Sequence, residues 1–236
     1  MTNAALVSDP PGRAFGKSLG DLSGVISDCC GRIDSFTLRA LRTESPMTLK
    51  ALTARNRSQS RGQVIVFTVG HSTRTITAFI RLLRAHGVQR VIDVRTMPRS
   101  RHNPQFNRDR LSPALHRARI DYRHVPGLGG LRHARRDSLN TGWRNASFRG
   151  YADYMQTPEF AASLERCIAF AKGERVVLMC AEAVPWRCHR SLIADALLVR
   201  GIETREIASA VRTVPHAVTA WAQVSGTQVT YPEMKR

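Results

Sequence analysis

The 236-residue sequence predicts an α/β fold, a mainly parallel sheet layered between helices, with a long Arg/Gly-rich loop region. Three observations predict it. Short apolar runs, VIVFTVG at 64–70, VQRVIDV at 88–94 and RVVLMC at 175–180, have the length and β-branched content of strands. Between them lie stretches whose apolar residues recur at helical spacing, and that alternation is the pattern of strands covered by helices. No internal repeat or second set of elements interrupts it, so residues 63–236 read as one domain.

Residues 1–62 lack any sustained period. Gly, Ser, Pro and Arg punctuate them, as in SDPPGRAFGKSLG and TARNRSQSRGQ, and they read as a poorly ordered N-terminal extension. The pattern starts with the run that ends at Gly70. Ser72 or Thr73 is expected to cap a helix in RTITAFIRLLRAHG, where Ile76, Phe79, Ile80, Leu82 and Leu83 share one face and Gly87 ends it. VQRVIDV follows, so the first three elements form a βαβ unit with parallel strands. RTMPRSRHNPQFN is loop-like, and Pro98 and Pro104 hold Met97 and Asn103 extended. NRDRLSPALHRARI reads as a short helix interrupted or initiated near Pro113, and IDYRHVP as a third strand. The stretch 127–150, GLGGLRHARRDSLNTGWRNASFRG, is too long for a plain connection and reads as a functional loop. TPEFAASLERCIAFAKG carries helical periodicity at Phe160, Leu164, Cys167, Ile168 and Phe170. RVVLMC is a buried strand, SLIADALLVRG a helix and IETREIA the last strand.

Composition narrows the function classes. No run approaches the roughly 18 apolar residues of a membrane span, and no basic start with an apolar core marks a signal peptide, so the expected location is cytoplasmic with no membrane partner. Five cysteines, unevenly spaced, do not form a secreted disulfide framework. The formal charge of +18 draws anions without choosing among them. Thirteen arginines and no lysine face three aspartates between Arg95 and Arg149, and arginine forks suit phosphate and carboxylate.

In α/β sheets ligands gather beyond the carboxyl ends of the strands, where three stretches fall: GHS at 70–72, DVRTMPRSRHNP at 93–104 and CAEAVPWRCHR at 180–190. Cys180 closes a strand. Arg187, Arg190 and the helix start after it would favour its thiolate and make it a nucleophile or a thiol sensor, whereas a small buried hydrophobe is the alternative. Cys180 and Cys188 do not have C-x-x-C spacing, and a disulfide between them requires the chain to fold back. A metal is not expected from the spacing; zinc, if held, would take Cys180, Cys188, His189 and His71. Glu182 would hold Arg187 or Arg190 or accept from a sugar hydroxyl, and His189 would move a proton near neutral pH or pack the helix start. Asp93 would orient Arg95 or ribose hydroxyls while Arg95, Arg99 and Arg101 clamp an anion. His71 and Ser72 would meet the same ligand with Ser100 and Asn103. Tyr122, Trp143, Phe148, Tyr151 and Tyr154 interleave with arginines, as base-stacking platforms do, or anchor the loop.

Taken together, TVGHSTRTITAFIRLL, VIDVRTMPRSRHNPQFN, YRHVPGLGG, WRNASFRGYADYMQTPEF and LMCAEAVPWRCHRSLIADAL resemble the DUF488 family, over about Val64 to Ile207. The resemblance highlights Gly70, His71, Ser72, Asp93, Arg95, Pro98, Ser100, Asn103, Pro104 and Phe106, then Leu128, Gly129, Gly130, Tyr151, Tyr154 and Met155, and finally Cys180, Glu182, Cys188, His189 and Arg190. It implies little chemistry of its own. The loop after Cys180 is placed as in rhodaneses and cysteine phosphatases, but six residues separate it from Arg187, one more than the phosphatase signature has.

The leading expectation is a strand-end site for a phosphorylated small molecule or nucleotide, in a cysteine-dependent group transferase or hydrolase. Its catalytic groups would be Cys180, Glu182, His189 and Asp93, and its ligand-binding residues His71, Ser72, Arg95, Arg99, Ser100, Asn103, Tyr151, Arg187 and Arg190. The alternatives are a nucleic-acid-binding module and a thiol or metal sensor.

Overall fold

The computed structural model describes residues 64–233, so the extension read at 1–62 lies outside the described residues. Along the chain run β1 (Ile65–Gly70), α1 (Ile76–Ala85), β2 (Arg90–Asp93), α2 (Arg108–Arg117), β3 (Asp121–His124), α3 (Ala146–Tyr154), α4 (Pro158–Ala171), β4 (Val176–Cys180), α5 (Arg190–Leu198), β5 (Glu203–Ser209), β6 (Arg212–Pro215), β7 (Gln223–Ser225) and β8 (Gln228–Thr230). The architecture is α/β, with a mixed, mostly parallel sheet flanked by helices. Its strand order is β3-β2-β4-β1-β5-β6, and only β6 runs antiparallel to its neighbour. β7 and β8 form a separate hairpin.

The period-two alternation of the buried strands divides the core. Val66, Ile92, Val176, Leu178 and Cys180 pack with Leu164, Ile168, Leu192 and Ile193 of α4 and α5. Phe67, Val69, Val91, Val177 and Met179 pack with Phe79, Leu83, Leu111 and Leu115 of α1 and α2. The chain moves one way across the sheet from β1 to β2 and the other way from β4 to β5. Right-handed crossovers in opposite directions put α1 and α5 on opposite faces, and the loops after β1 and β4 part at the carboxyl end. Because β2, β4 and β1 are neighbours, the loops that follow them share that edge.

Several local expectations are corrected. The α1 cap is Thr75, whose hydroxyl accepts from the Ala78 amide at 3.2 Å, while Ser72 sits in the preceding turn at φ 51°. Pro113 neither starts nor breaks α2. The helix passes through it, because the carbonyl it leaves unbonded belongs to the solvent-exposed Asp109. The segment read as a loop to residue 150 turns helical at Ala146, capped by the Asn145 side chain on the Ser147 amide at 2.9 Å. IETREIA is not the last strand, since β6, β7 and β8 follow it.

Candidate functional site

The backbone at the carboxyl edge is fixed before any side chain is considered. Gly70 pairs in register with Cys180, and the ladder continues as the His71 amide donates to Cys180 O at 2.9 Å and the Ser72 amide to Ala181 O at 3.0 Å. A Cβ on Gly70 would lie 1.8 Å from the Glu182 carbonyl oxygen, so only glycine lets the 181–183 backbone cross the end of β1. The loops 71–73, 95–103 and 180–189 line one cleft of about 740 Å³.

At its floor three side chains converge. Cys180 Sγ, Cys188 Sγ and His189 Nδ1 all lie within 4.8 Å of one another, with Nδ1 4.0 Å from the Cys180 sulfur and 3.8 Å from that of Cys188. A short turn at Pro185–Arg187 folds the chain back, which overcomes the wide sequence spacing of the two cysteines. His189 Nε2 is 3.1 Å from the Val94 carbonyl oxygen. That oxygen can only accept, so Nε2 carries a proton and Nδ1 is the nitrogen that faces the sulfurs. The ring is held on both sides. The Tyr151 ring lies 5.0 Å away, and a Cβ on Gly130 would come 2.5 Å from Nδ1.

Both cysteines are free thiols and both are buried. A hydrogen bond from Cys188 holds the Cys180 thiol well below its usual range; burial works against this, and His189 adds to the lowering. Cys188 moves the other way, its proton retained by the hydrogen bond to Cys180 and by burial. Cys167, among apolar residues of α4, is pushed up to about 12 by burial.

Beside this cluster is a closed polar network. Arg95 Nε donates to Asp93 Oδ1 at 2.8 Å, Nη2 to Asp93 Oδ2 at 2.6 Å and to Phe106 O at 2.8 Å. The Tyr122 hydroxyl donates to Asp93 Oδ2 at 2.7 Å. Arg95 Nη1 donates to His71 Nε2 at 3.2 Å, and His71 Nδ1 donates to Ser72 O at 2.8 Å. These partners require a neutral His71, and burial lowers its pKa in the same sense. The imidazole stacks on Phe106 at 4.0 Å.

The structure places the residues singled out in the sequence in three groups. Cys180, Cys188 and His189 form the cluster. Ser72, Arg99, Ser100, Asn103, Glu182 and Arg187 line the cleft around it, with Arg99 and Arg187 exposed. Asp93, Tyr151 and Arg190 are fully or nearly fully buried. Tyr151 donates to Leu128 O at 3.0 Å and braces His189. Arg190 donates to the carbonyls of Glu182 and Ala183 and pairs with Glu206 at 3.1 Å. Two expectations are corrected here. His71 does not join the metal-ligand set, because both its ring nitrogens are engaged. The Glu182 carboxylate holds neither arginine; it accepts from the Val184 amide at 3.1 Å and shapes its own loop.

Sequence reasoning missed the Val94 carbonyl and Glu206. A backbone acceptor leaves no trace in composition. Glu206 left one, an acidic residue on the inward row of a strand, level with Thr68 of β1, whose hydroxyl donates to it.

The family described as Domain of unknown function DUF488 matches residues 75–197. No curated protein and no solved structure matches the chain.

Proposed function

The chain belongs to the DUF488 family, and we propose that it is a thiolate metal sensor whose centre is Cys180, Cys188 and His189. One observation carries the reading: two sulfurs and an imidazole nitrogen converge within 4.8 Å, with the imidazole already oriented by a carbonyl on its far nitrogen. Metal-bound histidines are held by that kind of outer partner. In a tetrahedral zinc site the sulfur-to-nitrogen separation is about 3.6 Å, so the observed 3.8 and 4.0 Å need only a small contraction. Two soft thiolates and one imidazole suit Zn(II) among divalent ions.

Three protein ligands leave the fourth position to the cleft, as in zinc sites that exchange water for another ligand. Arg99 and Arg187 on the rim favour an anion there, and a phosphorylated ligand would reach the centre by this route. Binding displaces the proton that Cys188 keeps, so affinity rises with pH. It also draws Cys180 at the end of β4 together with Cys188 and His189 at the start of α5, a local change of the kind that sensing requires.

The test is zinc titration of the reduced protein against a chromophoric chelator. One zinc per chain is expected, with each of C180A, C188A and H189A weakening affinity by more than the roughly 10–100-fold that loss of an outer partner costs. Binding of equal strength in all four proteins, or none at micromolar zinc, overturns the proposal.

A further inference from the structure

A second cavity, of about 480 Å³, lies behind the loop that follows β4 and shares Ala183 with the cysteine cleft. Its walls come from that loop, α5 and the β5–β6 pair, and Val184, Pro185, Ala194, Ile207, Val214 and Pro215 give it an apolar body. Two apolar side chains there are left facing water, Trp186 at 73% and Val214 at 39% exposure. Occupation by an apolar group would cover them.

The charged groups are asymmetric. Arg74, Arg190 and Arg212 line the cavity against one carboxylate, Glu206. That carboxylate is already committed, because Arg190 donates to both of its oxygens and Thr68 donates to one of them. It therefore offers little to a cation. Arg212 is exposed and forms no ion pair among the described residues.

We propose that this cavity is a binding site for a small amphipathic anion, an aromatic or aliphatic carboxylate whose hydrocarbon body fills the pocket and whose charge meets Arg212. Concave apolar walls with a few convergent polar groups are the general form of small-molecule sites, and the uncompensated arginines set the sign of the ligand. The site is independent of the metal centre. Arg190 nevertheless touches both, since it lines this cavity and holds the carbonyls of Glu182 and Ala183.

The experiment is calorimetric titration with 2-naphthoate and octanoate, beside the uncharged 2-naphthylmethanol and the cationic octylammonium, on the full chain. The carboxylates are expected to bind about tenfold or more tightly than either control, the gap that one charge-assisted hydrogen bond supplies. R212E should remove that preference and V214W, which fills the pocket from its rim, should abolish binding, with both variants keeping the parent's thermal unfolding. Equal affinity for all four compounds, no binding at millimolar ligand, or carboxylate binding unaltered in the folded R212E and V214W proteins overturns the proposal.

Discussion

Cys180 and Cys188 differ by environment, not by residue type. Cys180 takes the negative charge because a thiol and an imidazole face it, and Cys188 keeps the proton because that charge is beside it. Iodoacetamide at neutral pH should therefore modify Cys180 before Cys188 and leave Cys167 untouched in the native protein. Peptide mass mapping checks the order, and equal labelling of Cys167 would contradict it. His71 gives a second expectation. Its folded pKa lies below the ordinary value of 6.5, so the unfolded chain binds more protons between the two values. Stability from this residue is complete above pH 6.5 and falls as pH drops toward the lowered folded value. Urea unfolding of H71N against the parent should show a shallower acid-side loss between pH 6.5 and 5. The sequence pointed to the cysteines and histidines because their chemistry is carried by residue type. It could not separate His189, bonded to Val94, from His71, bonded to Arg95, since both partners come from the segment just after β2, distant in sequence from either histidine.

The strands and long helices were legible because burial on both faces, or on one stripe, leaves a periodic trace. α3 was not. Its sequence ASFRGYADY contains Gly150, which read as a loop signal, yet a Cβ there would lie 2.6 Å from the Arg132 carbonyl oxygen. That glycine permits close packing of the helix against the 132–134 backbone. β6 and β7 were hidden for the opposite reason, being largely exposed and without an inward row. Gly70 is where an element depends most on one residue. G70A must push the Glu182 carbonyl away, at a cost of about 1–3 kcal/mol, and should loosen the loop that carries Cys188 and His189. Chemical denaturation reads the first effect and zinc affinity the second. An unchanged stability would show that the loop can move aside freely.

At the scale of the molecule, the reversal of chain direction between β4 and β1 opens the edge where the cysteine cleft forms. The alternation of elements pointed to the carboxyl edge, but not to this strand order. Which arginines face ligand did not follow, because a charge count says nothing of internal pairing. Arg95 and Arg190 pair with Asp93 and Glu206, whereas Arg99 and Arg187, exposed in the lining of the open cleft, are the arginines left to meet an anion there. The buried Asp195 accepts from His216, Thr219 and Tyr231 and fixes the C-terminal segment to α5, a tie of sequence-distant groups that no local pattern announces. The central claim is that both sulfurs and the His189 imidazole hold one ion together, and the electronic spectrum of the Co(II)-loaded protein tests it most directly. The account expects intense tetrahedral d–d bands with thiolate charge-transfer absorption, reduced by about half in C180A and in C188A and shifted in H189A. A weak octahedral spectrum without charge-transfer absorption, the same in all three variants, would contradict it.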